Sequence, residues 1–159
     1  MKKVLVAYFS ASGVTARLAQ KLAHAVDADL YEIKPAKPYS NADLNWQDAK
    51  SRSSLEMKDP ACRPEIAQAV PHMEGYDTVF VGFPIWWYEA PRIIHTFLES
   101  YDFSGKTVIP FATSGGSGMG KTEAILQKTC PKTKFLPGKK WSSSASEQEL
   151  AAWQKQLSL

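Results

Sequence analysis

An α/β domain built on a parallel sheet is the fold class this sequence predicts. Its strand-like runs are continuously apolar rather than alternating, as in strands buried on both faces. Runs with a four-residue apolar repeat lie between them. The regular alternation of the two kinds implies right-handed strand–helix–strand crossovers. The 159 residues suffice for one domain with a core and are few for two, so 1–159 is read as a single domain.

The first strand is Lys3-Val4-Leu5-Val6-Ala7-Tyr8-Phe9, an unbroken run of β-formers. A polar turn follows. Then Val14, Leu18, Leu22 and Val26 recur every four positions, with Arg17, Gln20, Lys21 and His24 on the other side, which predicts an amphipathic helix. Further strands are predicted at Leu30–Ile33, Thr78–Phe83 and Thr107–Ala112. Between the last two, Pro91 suits a helix start, and Ile93, Ile94, Phe97, Leu98 and Tyr101 share one helical face. Another helix is expected after Gly120 through Ile125 and Leu126, then a weak strand at Lys134–Leu136. A terminal helix opens with a capping box from Ser146 to Glu149. Residues 35–64 break the rhythm. They are too long for a plain connection and predict an insertion that acts as a lid or an interface element, with Trp46, Arg52 and Arg63 as its candidate contact residues.

Composition narrows the function classes. With 44% hydrophobic and 22% charged residues the chain is an ordinary globular protein rather than a disordered one. Its net charge of +3 comes from scattered lysines, not from a basic stripe, which argues against nucleic acid. Cys62 and Cys130 lack metal-ligand spacing and are too few for a disulfide framework, so no metal site is expected and a cytoplasmic setting is the simpler one. The six apolar residues Val4–Phe9 are short for a secretory h-region, and no stretch approaches membrane-spanning length.

In an open α/β sheet, ligands bind outside the carboxyl ends of the strands. The loop after the first strand is Ser10-Ala11-Ser12-Gly13-Val14-Thr15, in which three hydroxyls and a glycine open a helix whose amides and dipole favour a phosphate. Ser12 acting only as a helix cap is the plainer alternative. The loop after Thr78–Phe83 is Pro84-Ile85-Trp86-Trp87-Tyr88, continuing to Pro91. At least one of its rings should be exposed to a flat ligand, unless all pack against residues 35–64. The last loop, Thr113-Ser114-Gly115-Gly116-Ser117-Gly118, is small enough for backbone amides to approach a ligand edge. Together the loops describe a site for a phosphorylated planar cofactor.

A competing motif overlaps the third loop. From Gly115 to Thr122, GGSGMGKT fits G-x-x-x-x-G-K-[ST], the loop that cradles nucleotide triphosphates. That chemistry also needs an acid ending a neighbouring strand to hold Mg²⁺. Asp77 precedes its strand instead, and the acids after Lys121 (Glu123, Glu147 and Glu149) fall in predicted helices. His24, His72 and His95 lack the context of a catalytic triad and are read as surface or helix-face residues.

The sequence resembles the flavodoxin-like family. Ser10, Ser12, Gly13 and Thr15 match its phosphate-loop pattern [ST]-x-[ST]-G-x-T. The stretches GFPIWWYEAP, PRIIHTFLESYDFSGKTVIPFATSGGSG and RPEI look closer still to a branch of short flavodoxin-domain proteins. The resemblance implies a three-layer open sandwich with a five-stranded parallel sheet in the order 2-1-3-4-5, helices on both faces, and non-covalently held FMN. Carried onto this chain, Ser10 to Thr15 would bind the FMN phosphate, Pro84 to Tyr88 would flank the isoalloxazine, and Thr113 to Gly118 would meet its polar edge. Trp86, Trp87 and Tyr88 are all open as the stacking residue. Glu89 is the only acid in the three loops, which predicts a less extreme potential than that of the strongly acidic electron carriers. The expected activity is reduction of a small acceptor such as a quinone with electrons from NAD(P)H. An electron carrier serving a protein partner, and a binding module that has lost its cofactor, are the alternatives; a homodimer is compatible with each.

Overall fold

The structure is a computed structural model that describes residues 3–113, 119, 122–142 and 144–157. Along the chain run β1 (Val4–Tyr8), α1 (Val14–Ala25), β2 (Asp29–Glu32), α2 (Arg52–Lys58), β3 (Thr78–Pro84), α3 (Arg92–Glu99), β4 (Thr107–Thr113), α4 (Thr122–Thr129), β5 (Lys134–Phe135), β6 (Lys139–Trp141) and α5 (Glu147–Gln156). A single 3₁₀ turn, Met73–Gly75, leads into β3. The strands are ordered β2-β1-β3-β4-β5, all pairs are parallel, and β6 also pairs with β4.

Alternate residues of the central strands serve two cores. On one face Val79, Val81 and Phe83 pack with Ile93, Ile94, Phe97 and Leu98 of α3 and with Leu126 of α4. On the other, Val6, Phe80, Ile109 and Phe111 pack with Leu18 and Leu22 of α1 and with Leu150 and Trp153 of α5. Burial on both faces is why these strands carry no polar alternation, and the result is a three-layer α/β sandwich. The capping box that opens α5 forms in full: Ser146 accepts from the Glu149 N–H, and Glu149 accepts from the Ser146 N–H.

The fifth sheet position is filled by two short strands in succession. The Leu136 N–H donates to the Val108 carbonyl at 3.0 Å. Pro110, two residues further along β4, therefore turns its nitrogen, which has no proton to donate, toward the same edge. Opposite it the outer strand breaks at Pro137-Gly138, and pairing resumes at Phe111↔Lys139. The predicted weak strand is thus β5, and β6 is an addition that its two lysines conceal. Tyr101, expected on the helical face, lies past the end of α3 and packs on the core from there.

Residues 35–64 form a closed excursion containing α2. Its ends are joined by an antiparallel bridge, in which the Ala36 N–H donates to Glu65 and the Ala67 N–H to Lys34, both at 2.8 Å. Among the described residues no helix is long and apolar enough to cross a membrane.

Gly82 leaves no room for a side chain. A Cβ there would collide with the Phe111 ring, whose fully buried face fills the space a side chain would need. Gly82→Ala is therefore expected to lower unfolding stability by about 1–3 kcal/mol through overpacking, measured by urea denaturation. An unchanged midpoint would show that Phe111 can move aside.

Candidate functional site

The parallel register brings the three loops to one edge, because Tyr8 pairs with Gly82, Gly82 with Phe111, and Pro84 with Thr113. The first loop turns into α1 through Gly13, at φ 93°, a left-handed conformation in which glycine is at little cost. Gly13, not Ser12, is the N-cap, and it has no side chain with which to cap the helix. Ser12 is exposed instead. The Ser10 hydroxyl accepts from the Gly13 N–H at 3.0 Å and the Ala16 N–H at 3.2 Å, which fixes the loop's shape. Among the described residues no acceptor meets the N–H groups of Ser12, Val14 and Thr15. Unpaired amides at the positive end of a three-turn helix make an anion cradle. The Arg17 guanidinium reaches to 3.9 Å from where a Cβ on Gly13 would lie, adding a positive charge that the helix-face pattern assigns only to solvent.

Thr15 and Thr113 are both buried, and their hydroxyls lie 2.7 Å apart. One of the pair donates to the other, so one hydroxyl proton is left for a further acceptor. The contact ties the first loop to the end of β4 across 98 positions. Ser114, Gly115, Gly116, Ser117 and Gly118, the rest of the third predicted loop, lie outside the described residues, as do Gly120 and Lys121. Thr122, the last position of the GGSGMGKT motif, is fully buried. Its hydroxyl bonds to the Met119 carbonyl and, at 3.4 Å, to that of Tyr88, so it is spent inside the protein.

The second loop carries the least usual geometry. Trp86 and Glu89 exchange both backbone hydrogen bonds, at 2.9 and 3.1 Å, and close a two-residue turn. Its central residues, Trp87 and Tyr88, are both left-handed, at φ 49° and 65°. A turn of this type ordinarily carries Asn-Gly. Large aromatic residues there cost about 1–2 kcal/mol each. Trp87 is 43% exposed and Tyr88 73%, so the strained turn presents two rings outward. Pro84 and Ile85 are half-buried below it, and the Ile85 N–H donates to the Thr113 carbonyl at 3.0 Å, which holds the loop to β4.

Trp86 points the other way. It meets Phe9 and Tyr39 edge-on, each with ring centroids 5.6 Å away, and Phe9 meets Tyr39 at the same distance. Packing against residues 35–64, weighed from sequence for all three aromatic residues, thus holds for Trp86 and leaves Trp87 and Tyr88 as the exposed surface. Tyr39 donates to Glu56 at 2.5 Å beneath the Arg52 guanidinium, 3.8 Å from its ring centroid. Burial first, and then the Glu56 carboxylate, push its phenol well above the usual tyrosine range. Arg52 also pairs with Glu56 at 2.9 Å, and Arg63 grips Glu99 with two bonds of 2.9 and 3.0 Å. Both arginines are engaged within the protein: Arg52 braces the insertion internally, through Glu56 and the Lys37 and Pro38 carbonyls, and Arg63 ties it to α3. Trp46 does stay outward, 68% exposed.

Arg92 was not foreseen. Buried at the start of α3, it pairs with Glu89 at 2.6 Å and donates to the Glu56 and Met57 carbonyls in the last turn of α2. The one acid of the three loops is therefore neutralised from below. His95 lies on a helix face, that of α3, but a buried one rather than the surface. It is 4% exposed, bonds Thr129 through Nδ1 at 2.8 Å, and has a pKa lowered to about 4 by burial and by the charges of Arg63 and Arg92.

An amide cradle at a helix start, beside an outward aromatic turn on the carboxyl edge of a 2-1-3-4-5 sheet, defines the doubly wound class in which ligands sit at the switch point of strand order. The chain belongs to the flavodoxin family, whose model matches residues 3–157. It is 49% identical to a candidate flavoprotein of Bacteroides eggerthii, covering 100% of this chain and 99% of that one, with a TM-score of 0.96. A flavoprotein of Lactobacillus acidophilus solved in complex with FMN shares the fold at 23% identity, with a TM-score of 0.72 over 97% of this chain and 99% of that one. Across 58% of its length the present chain is 27% identical to NAD(P)H dehydrogenase [quinone] 1 of Rattus norvegicus, and the match spans 42% of that relative.

Strain in the aromatic turn gives a test. In the ligand-free protein, Trp87→Asn combined with Tyr88→Gly should raise stability by about 1–2 kcal/mol in urea, since both residues suit left-handed backbone. A loss of stability would mean that the rings, not the turn, hold this loop.

Proposed function

We propose that the chain is an FMN-dependent oxidoreductase that passes electrons from NAD(P)H to a small acceptor such as a quinone. The left-handed Trp87-Tyr88 turn carries this reading. Strain is kept and two large rings are left in water, which makes sense where a flat ligand covers them. The amides of Ser12, Val14 and Thr15, with Arg17 beside them, suit the FMN phosphate. Pro84, Ile85, Trp87 and Tyr88 suit the ring, and Thr113 to Gly118 its polar edge; Trp86 acts from behind as the wedge that aims the turn.

Once bound, FMN supplies hydride acceptance and onward electron transfer, and the chain supplies position, polarity and access. Thr15 holds the phosphate loop in register with β4 through Thr113 and offers the remaining hydroxyl proton of the pair. Arg92 balances the charge of Glu89 in an ion pair, so the aromatic turn places no unpaired carboxylate against the ring. That favours a less extreme potential than an acid-rich carrier site. The insertion, tied to α3 by Arg63 and Arg92, stands behind Trp86 as a wall that keeps water from that side of the loop. The likeness to a quinone reductase supports the choice of acceptor, and the two free cysteines fit a reducing compartment such as the cytoplasm.

The test is steady-state oxidation of NADH and NADPH by the FMN-loaded protein with benzoquinone. Turnover without a second protein is expected. Reduction that requires a separate reductase would assign the chain to the electron carriers. Ser12→Asp, which places a carboxylate at the cradle, should weaken FMN binding at least tenfold, about 1.4 kcal/mol. Unchanged affinity would move the phosphate elsewhere.

A further inference from the structure

The aromatic turn stands on two feet, Trp86 and Glu89, whose backbone groups close it. Each foot is held by a side chain from outside the turn, and both holds end on one residue of α2, Glu56.

The first hold runs through the Glu56 carboxylate. One oxygen accepts from the Tyr39 hydroxyl at 2.5 Å and the other from Arg52 Nε at 2.9 Å. Arg52 also lies over the Tyr39 ring, 3.8 Å from its centroid, and that ring meets Trp86 edge-on at 5.6 Å. Tyr39 is pinned by its hydroxyl, and its ring passes that position to the first foot. The second hold runs through the Glu56 backbone. Its carbonyl accepts from Arg92 Nε at 3.3 Å, beside the Met57 carbonyl, which accepts from the same guanidinium at 2.7 Å. Arg92 then donates to Glu89, the second foot, at 2.6 Å.

Glu56 is 9% exposed and Arg92 5%. Burying a carboxylate and a guanidinium is a weak way to gain stability, because desolvation consumes much of what the partners return. Such groups do impose direction, since a charge-assisted hydrogen bond fixes an angle that an apolar contact leaves free. Left-handed backbone at Trp87 and Tyr88 persists only where the surroundings over-determine it, and a separate hold on each foot supplies that.

We propose that Glu56 is the positioning residue of the aromatic turn. Through its side chain and its backbone together it makes α2 and the turn one unit, so that Trp87 and Tyr88 are presented in a single arrangement. The phosphate cradle is fixed separately, by Ser10 and the Thr15–Thr113 pair. Under the FMN reading given above, on which this consequence rests, Glu56 therefore acts on the ring half of the cofactor and not on its phosphate.

Tyr39→Phe keeps the ring and removes only the hydroxyl, and Glu56→Asp keeps the charge but draws it back by one methylene. In the full chain without added flavin, amide hydrogen exchange at Trp86 and Glu89 should rise by roughly threefold or more in each variant, with the Leu150 amide of α5 as the unmoved reference. The two substitutions together should do no more than either alone, because they break one bond. Unchanged exchange at the turn, an equal rise at Leu150, or additive rises would overturn the assignment. Fluorescence titration then compares FMN with riboflavin, which lacks the phosphate. In Tyr39→Phe both affinities should fall by the same factor, roughly threefold or more. Unchanged affinities, or a loss confined to FMN, would contradict an action on the ring. If neither flavin binds the unsubstituted protein, the FMN reading fails, and the exchange result still decides whether Glu56 holds the turn.

Discussion

The parallel register of β1, β3 and β4 is the constraint on which the rest of the molecule depends. Because Tyr8, Gly82 and Phe111 stand in one row, the chain leaves all three strands at the same edge. The amides of α1, the aromatic turn and the Thr113 hydroxyl then converge without any loop having to be long. The row is possible only because Gly82 gives its space to the Phe111 ring, so core packing and the placement of the site are one problem. Above the row the ladder continues through Ile85 and Thr113, which passes the sheet's rigidity into the aromatic loop.

That rigidity explains how two large residues are kept in left-handed backbone. The turn is clamped at both ends by the Trp86–Glu89 hydrogen bonds. Trp86 is wedged between Phe9 and Tyr39, and Glu89 is fixed by Arg92. Arg92 in turn caps the last turn of α2 through two carbonyls, where a cation is favoured by the helix dipole. The insertion is therefore a buttress for the aromatic loop. Removing the Arg92 charge would loosen the turn, the insertion and α3 together, and would leave Glu89 without its cation.

Where burial follows from local pattern, the sequence was legible. The unbroken apolar runs of β1, β3 and β4, the repeat of α1 and the capping box of α5 each predicted their element. Other features depend on partners distant along the chain. β6 reads as Lys-Lys-Trp, and only the gap opposite Pro110 and the burial of Trp141 make it a strand. His95 sits on a predicted helix, but α4 and the insertion that bury it do not register in a helical period. The Thr15–Thr113 pair spans 98 positions. The aromatic loop was found by composition, yet its turn was not, because Trp-Tyr has none of the residues that mark left-handed backbone. Arg17 was placed by period on the solvent side, whereas its length lets it fold back over Gly13.

The central claim is that the carboxyl edge of the sheet is a flavin site and that GGSGMGKT is a chance match to a triphosphate cradle. Titrating the purified protein with FMN, following tryptophan and flavin fluorescence together with ATP and Mg²⁺ as competitors, tests it most directly. Mutual quenching that ATP does not reverse is the expected result, with the signal carried by Trp87. Absence of flavin binding, together with Mg²⁺-dependent ATP binding that Lys121→Ala abolishes, would contradict it.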